Sequence, residues 1–396
     1  MAVNDQLGDV SYLGFQAALA GYIAALVCFG IEFASARGSA PTAAEAVSMA
    51  RRAAGRGRTA VLDHRSAPVG TVGAVGTVGA GGAVGAVGTV GAVGAVGADP
   101  ASGIGRISKP VKPARRPMGA LFGLAAVVVT VVGYASHLFS IVTRGIAAGR
   151  APWGNMYEFT SLICAAAVTG FLIVLYRTRA RAVGFFVMIP VVILMFVGGT
   201  RLYTQVESLV PALRSYWLLI HVLAVSLSTG VLMVSGVASA MYLLRWRYER
   251  KLTAEQEWSK ESGDDPGGPA DSAAGFVPQA TVAANSRLAS LPSLAVLDRV
   301  AYRTAIVAFP VYTFAVIAGA LWAEVAWGRY WGWDPKETCA FVSWVCYAAY
   351  LHARATAGWR GARAAWISVL GFCSVVFNLF FINIVVSGLH SYAGLN

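Results

Sequence analysis

The dominant pattern in this chain is a series of apolar runs separated by stretches that are richer in polar residues. A helix needs about 20 mainly apolar residues to cross the hydrocarbon core of a bilayer. Eight such runs can be counted, near residues 11–35, 118–143, 157–176, 183–200, 215–244, 303–326, 338–353 and 364–388. The pattern therefore predicts an all-α polytopic integral membrane protein with about eight transmembrane helices.

Two long segments interrupt this series. Residues 36–116 have a centre, 69–98, that repeats Gly, Ala and Val and is about one-third Gly. Such a sequence has high backbone entropy and little side chain to bury, so we predict a disordered linker there. Residues 245–302 are predicted to be a second, polar linker. Helix 1 then occupies 1–35, helices 2–5 occupy 117–244, and helices 6–8 occupy 303–396.

Composition and charge agree with a membrane protein. The chain is 57% hydrophobic and 13% charged, with mean hydropathy +0.62 and net charge +12. Of the 31 Lys and Arg residues, 25 lie in four alternate loops, at 36–116, 177–182, 245–303 and 353–363. The positive-inside rule makes these loops cytoplasmic and puts both termini on the outer side. The excess of Lys and Arg is therefore explained by the topology of a protein surrounded by membrane lipid. We expect no nucleic acid partner.

The beginning of the chain carries no targeting pattern. The sequence MAVNDQLGDV has no basic residue before the first apolar run. A cleaved signal peptide begins with a positively charged region, so we expect none here.

The segment WGRYWGWDPKE, residues 327–337, lies between predicted helices 6 and 7 on the predicted outer side. Trp and Tyr commonly anchor helix ends at the membrane interface, but such a belt needs no fixed order of charged residues. Clustered aromatic and polar groups are typical of binding sites. We therefore interpret Trp327, Tyr330, Trp331 and Trp333 as a platform for a large aromatic ligand.

Three charged residues follow the rings, at Asp334, Lys336 and Glu337. They either hold the loop in place through local ion pairs or help to dock a substrate. The sequence leaves both roles open.

Two histidines share the predicted outer side with this loop. His221 lies about 10 Å along its helix from the outer boundary at Arg214. His390 follows the last apolar run. Two imidazoles beside a stacking surface suit the iron and the ring of a porphyrin, because imidazole nitrogen binds iron and aromatic rings pack on the macrocycle.

The remaining histidines have other positions. His352 lies about 22 Å beyond Glu337, near the cytoplasmic end of predicted helix 7, and ionisable residues inside membrane spans tend to be functional. His137, near the outer end of helix 2, is either a third outer ligand or a packing residue, and the sequence leaves this open. His64 lies in the first linker and is predicted to be solvated.

The five cysteines carry no recognisable chemistry. None of them forms a Cys-x-x-Cys pair, which argues against a disulfide framework, a zinc site or a thioredoxin-type thiol pair. The chain also lacks Cys-x-x-Cys-His, so it is not itself a c-type cytochrome.

These residues resemble a known family. WGRYWGWDPKET, with YLHAR at 350–354 and GLHSYAG at 388–394, resembles the system II cytochrome c biogenesis proteins of the CcsA/ResC type. That family handles haem with a tryptophan-rich outer loop, the WWD loop. SLVPALRSYWLLIHV (208–222) and APWGNMYEF (151–159) also resemble family segments. The resemblance covers roughly 118–244 and 295–396.

The resemblance implies a role for each matching residue. His221 and His390 match two outer axial ligands of haem b, and His352 matches an in-membrane haem ligand. Trp327, Tyr330, Trp331, Trp333 and Asp334 match the haem platform, with Cys339 at a position where many members have Trp.

The resemblance also implies partners and a location. The chain is expected to be the haem-handling subunit of a cytochrome c synthase, or haem lyase, in the plasma membrane, with its WWD loop on the outer or periplasmic side. Its expected partners are a CcsB/ResB-type membrane protein and apocytochrome c. A thiol-reducing thioredoxin-like protein is a further expected partner, because this chain has no cysteine pair of its own.

Two alternative functions make different predictions. A b-type haem electron-transfer subunit would carry paired histidines on facing helices at both leaflets, whereas the inner level here has only His352. A non-haem transporter would use the aromatic loop as a gate and would bind no haem.

Overall fold

A computed structural model describes residues 4–35, 118–207, 214–261, 287–356, 359, 361–382 and 386. These residues belong to one compact unit. The predicted disordered linker at 36–116, the middle of the second linker at 262–286, and His64 and His390 lie outside them.

Each predicted span corresponds to a helix. The eight helices are α1 (Asp5–Ser35), α2 (Met118–Ala148), α3 (Met156–Thr178), α4 (Ala182–Arg201), α5 (Tyr216–Glu261), α6 (Leu294–Trp327), α7 (Pro335–Ala355) and α8 (Ala362–Phe377). A 3₁₀ turn, Arg287–Ser290, precedes α6, and a π-helical segment, Asn378–Ile382, continues α8. No strand occurs among the described residues, so the all-α prediction is confirmed.

Seven of these helices are long and apolar enough to cross a membrane, judged within the described ranges. The eighth, α7, is less apolar because it carries Lys336 and Glu337 in its first turn and His352 and Arg354 in its last. It nevertheless packs against α6 and α8 within the bundle.

Two helices extend into the segment predicted to be a linker. α5 continues to Glu261, and α6 begins at Leu294, before the predicted start at 303. The extension of α5 is polar but rich in good helix formers, and Arg245 pairs with Glu249 at 2.7 Å, one turn later. Apolar runs mark the length of a membrane span, whereas helix propensity continues beyond it.

The helices pack as a bundle with α3 and α5 nearest its centre. One core cluster joins α1–α4 to α5, and a second joins α5 to α6, α7 and α8. Apolar side chains such as Val132, Ile193 and Leu370 stay exposed on the outside, as expected for a surface that faces lipid. A third, smaller cluster of Leu218, Val222 and Trp322 lies at one end of α5 and α6, directly beneath the candidate site.

Candidate functional site

A cleft opens beside this third cluster. It has a volume of about 1290 Å³, including its open mouth. Its walls come from the loop before α3 and from α3, α5, α6, α7 and α8, and they are mainly apolar and aromatic. Concave sites with a mainly apolar and aromatic lining and a few polar groups are typical of sites for organic ligands.

His221 lines the cleft from α5. Its Nδ1 lies 2.8 Å from the backbone carbonyl oxygen of Ala315 on α6. A carbonyl can only accept, so Nδ1 carries the proton and Nε2 carries the lone pair of the neutral ring. A hydrogen bond of this kind sets the tautomer of a metal-binding histidine. The Ala315 carbonyl thus sets the tautomer of a neutral His221 ring.

The surroundings of His221 hold its ring in one plane. The ring is parallel to Trp322, with an interplanar angle of 13° and centroids 6.4 Å apart. Trp322 in turn meets Trp327 at 4.8 Å and 63°. On α6, Gly319 lies against the His221 ring, where a Cβ would come within 2.7 Å of Nδ1. The imidazole therefore has one well-defined position.

The aromatic loop is fixed at both ends by helix caps. α6 ends at Gly328, which has φ = 70° and donates its backbone N–H to the Glu324 carbonyl at 2.8 Å. α7 begins after Asp334, whose carboxylate accepts the backbone N–H of Lys336 at 3.0 Å. Helices commonly end at a glycine in the left-handed conformation and commonly begin after an Asp whose side chain caps the first turn. The loop between them is therefore short and defined.

The four rings of the aromatic loop do not all line the cleft. Trp327, Tyr330 and Trp331 line the cleft, whereas Trp333 is not among its lining residues. Trp333 is 66% exposed, with φ = 57°, and meets Trp331 edge-on at 5.7 Å and 88°. It also contacts Phe341 of α7 at 6.3 Å. Trp333 thus supports Trp331 from behind, a division that the sequence alone did not predict.

The acidic residues that follow the rings hold the loop. Glu337 Oε2 accepts the backbone N–H groups of Gly332 at 2.9 Å and Asp334 at 3.2 Å, which completes a capping box. Arg329 lies 3.8 Å from the same oxygen. Between the two roles that the sequence left open, this geometry favours loop fixing for Asp334 and Glu337.

Lys336 lines the cleft together with Glu337, whereas Asp334 is not among the lining residues. Lys336 lies in the first turn of α7, outside the seven candidate spans. Burial lowers its pKa from 10.5 to about 8, although nearby Asp334 acts in the opposite direction. Asn378 donates to the Lys336 backbone carbonyl at 3.4 Å, which joins the end of α8 to α7.

Two other candidate histidines that the structure describes, His137 and His352, are not among the residues that line the cleft. His137 is completely buried, with Nδ1 3.1 Å from the Tyr22 hydroxyl and Nε2 2.8 Å from the Ser161 hydroxyl. Both ring nitrogens are engaged, which favours the packing interpretation. His352 lies on the exposed side of α7, in line with Phe341 and Val345.

Sequence reasoning assigned no role to one wall of the cleft. Trp153, Gly154 and Asn155 form it, just before α3. Beside it, Glu158 is buried against Arg144 and Arg150. A carboxylate at the start of an apolar run is the signal that would have drawn attention to this region.

The bundle and its cleft define a class: a polytopic helical membrane protein with an aromatic-lined site around an oriented histidine. A model of the family described as "Cytochrome C assembly protein" matches residues 153–390, which include the cleft wall, the aromatic loop and three of the histidines. The chain therefore belongs to the cytochrome c assembly protein family.

Similarity to individual relatives is spread over most of the chain. The "Cytochrome c biogenesis protein CcsA" of Guillardia theta is 33% identical over 279 residues, covering 68% of this chain and 87% of that protein. The protein of the same description from Heterosigma akashiwo is 34% identical over 262 residues, 62% of this chain and 77% of the relative. The protein of the same description from Gloeobacter violaceus is 33% identical over 278 residues, which cover 65% of this chain and 82% of that protein. Within the family, this chain is of the CcsA type.

Proposed function

We propose that this protein carries haem across the membrane and presents it at the outer face for covalent attachment to apocytochrome c. The observation that supports this function best is the cleft in which His221, held in one tautomer, lies among aromatic rings. The imidazole suits the iron of haem b, and Trp327, Tyr330 and Trp331 suit the porphyrin ring. Lys336 supplies a cation for a haem carboxylate.

His390 is the proposed second axial ligand. It lies outside the described residues, so the proposal rests on the family resemblance and on its predicted position at the outer side. Two neutral imidazoles on the iron would make the haem low-spin. They would also hold the haem in the site until the substrate arrives.

His352 is the proposed in-membrane haem ligand. It lies on the same exposed side of α7 as Phe341 and Val345, and this strip leads from the aromatic loop toward the other end of the helix. The second ligand at this level would come from the CcsB/ResB-type partner. Haem held between the two proteins could then pass along the strip to the outer cleft.

Attachment at the outer face requires two thiol additions. Each cysteine thiol of the apocytochrome Cys-x-x-Cys-His motif adds across one vinyl group. An S–C bond forms, and the thiol hydrogen moves to the adjacent vinyl carbon, so the step needs no oxidant. The substrate histidine replaces one of the two protein imidazoles. The iron must be ferrous for this addition. The thiols are kept reduced by the thiol-reducing, thioredoxin-like partner, since this chain has no Cys-x-x-Cys pair.

The test is an absorption spectrum of the protein purified together with its partner. Wild type is compared with His221→Ala, His390→Ala and the linker variant His64→Ala as a control. We expect low-spin bis-imidazole haem in wild type and the control, and a spectrum that is lost or restored only by added imidazole in the other two. Normal haem in both variants would require the presentation mechanism to be abandoned.

A further inference from the structure

A buried charge cluster stands behind one wall of the cleft. Glu158, in the first turn of α3, is 2% exposed, and Arg144, at the end of α2, is also 2% exposed. Arg150 completes the cluster from the loop between α2 and α3. None of these three residues lines the cleft, but Gly154 and Asn155, which donate hydrogen bonds to the Glu158 carboxylate, do.

Every contact that Glu158 makes through its carboxylate is with a donor. Oε1 accepts from Arg144 Nε at 2.9 Å, Arg150 Nη2 at 3.3 Å and Asn155 Nδ2 at 3.2 Å. Oε2 accepts from Arg150 Nη1 at 2.8 Å and from the backbone N–H of Gly154 at 2.7 Å. Only an acceptor with two equivalent oxygens satisfies this set, so an ionised carboxylate is required.

The same contacts connect the cleft wall to the rest of the bundle. Gly154 and Asn155 line the cleft together with Trp153, and both are bonded directly to Glu158. Asn155 is also the N-cap of α3, because its Oδ1 accepts the Glu158 backbone N–H at 2.9 Å. The position of the wall is therefore set by the carboxylate behind it.

The two arginines extend the connection to a second loop. Arg144 Nη2 donates to the carbonyl oxygens of Thr204 at 2.7 Å and Gln205 at 3.2 Å, after the end of α4. Arg150 donates to the Glu207 carbonyl at 3.3 Å. Arg144 also lies over the rings of Tyr157 and Tyr203, at 5.2 and 5.8 Å from their centroids. Such a network is costly to leave half-satisfied and is rigid when complete.

The geometry points to Glu158 as a positioning residue that holds the Trp153–Asn155 wall in place for haem binding. This inference rests on the proposed function. Glu158 itself touches no ligand in this scheme; it acts through the loop that Arg150, Gly154 and Asn155 form around its carboxylate. Its role would be to keep the Trp153 side of the cleft at a fixed distance from His221.

The first measurement is hydrogen–deuterium exchange on the full-length protein without haem. In Glu158→Gln one oxygen becomes an NH₂ group facing donors, so we expect residues 149–155 to exchange at least about tenfold faster, while α7 is unchanged. Glu32→Gln is the matched control, since Glu32 is paired with Arg181 at 3.2 Å, far from this loop in sequence. If Glu158→Gln fails to accumulate, Arg150→Lys is used, because it keeps the charge but loses the forked contact.

The second measurement is haem affinity in a double-mutant cycle with Trp153→Ala. We expect Glu158→Gln to weaken haem binding about tenfold with an unchanged axial-ligand spectrum, and to add little in the Trp153→Ala background. Unchanged exchange in residues 149–155, unchanged haem affinity, or full additivity would each overturn the inference. Wild type that binds no haem would instead remove the proposed function, and exchange alone would then decide whether Glu158 positions the wall.

Discussion

The ring of His221 rests against Gly319 of α6, where a side chain would displace it. A Cβ there would lie 2.7 Å from Nδ1 and 2.8 Å from Cε1 of the imidazole. The same Nδ1 is bonded to the Ala315 carbonyl, one turn earlier on α6. The absence of a side chain at 319 and the carbonyl at 315 therefore set the position and the tautomer of the proposed ligand together.

Gly319→Ala is expected to move His221 and break its bond to Ala315. Because the clash is with a ring held between two helices, we expect at least about tenfold weaker haem binding, with a spectrum changed toward that of His221→Ala. Gly198→Ala is the control, since a Cβ at Gly198 makes only contacts of 3.7 Å or longer. Absorption titration with haem measures both. Wild-type affinity in Gly319→Ala would mean that the His221 position is not critical.

Alanine at two neighbouring tryptophans should have unequal effects. Trp331 lines the cleft, whereas Trp333 lies behind it and is 66% exposed. Loss of a central aromatic contact costs about 2 kcal/mol, so Trp331→Ala should lower haem affinity more than tenfold, and Trp333→Ala less. The two variants serve as each other's control. A larger effect at Trp333 would place the haem on the opposite side of the loop.

Glu337→Gln should loosen the aromatic loop without removing a ring. Its Oε2 accepts two backbone N–H groups of the loop, and a capping interaction of this kind contributes about 1 kcal/mol. We expect faster hydrogen exchange across residues 329–335 and a several-fold loss of haem affinity. Glu324→Gln, at an exposed position of α6, should leave both unchanged. Unaltered exchange in Glu337→Gln would argue for a docking role instead.

Haem binding should weaken as pH rises through the pKa of Lys336. Burial lowers this pKa from 10.5 to about 8, so the side chain is charged at pH 7 and largely neutral at pH 9. A haem carboxylate is anionic at both values, and a half-exposed ion pair contributes about 1 kcal/mol, so we expect roughly fivefold weaker binding at pH 9. Lys336→Met should flatten this dependence, whereas Lys251→Met, at an exposed position of α5, should not.

The stability of the protein should respond to pH in the opposite direction. The pKa of Lys336 is lower in the folded chain than its ordinary value, so protonation favours the unfolded state. Its contribution therefore becomes more favourable as pH rises from about 8 toward 10.5. Binding and unfolding must be measured separately for this reason.

Lys336→Ala that lowers holocytochrome yield at an unchanged protein level would support a role of Lys336 in docking, and an unchanged yield would argue against it.

The sequence by itself determined the helices, because apolar runs of membrane length are local features. Each of the eight predicted spans is a helix, and the aromatic loop lies between two of them, next to His221 in the cleft. Residue type and spacing along single helices were enough for this much. They were also enough to mark His221 and the rings as candidate residues, since ionisable groups are rare inside membrane spans and the rings run directly into a compact group of charged residues.

Tertiary structure decided which groups meet. Trp331 and Trp333 are two residues apart, yet only Trp331 lines the cleft, and Trp333 has a left-handed backbone conformation with φ = 57°. Glu158 gains its contacts from arginines 8 and 14 residues away in the chain, and these arginines bond in turn to carbonyls that lie 46 to 49 residues from Glu158. These outcomes depend on how loops from different helices pack together, and no local pattern of apolar and polar residues encodes that packing.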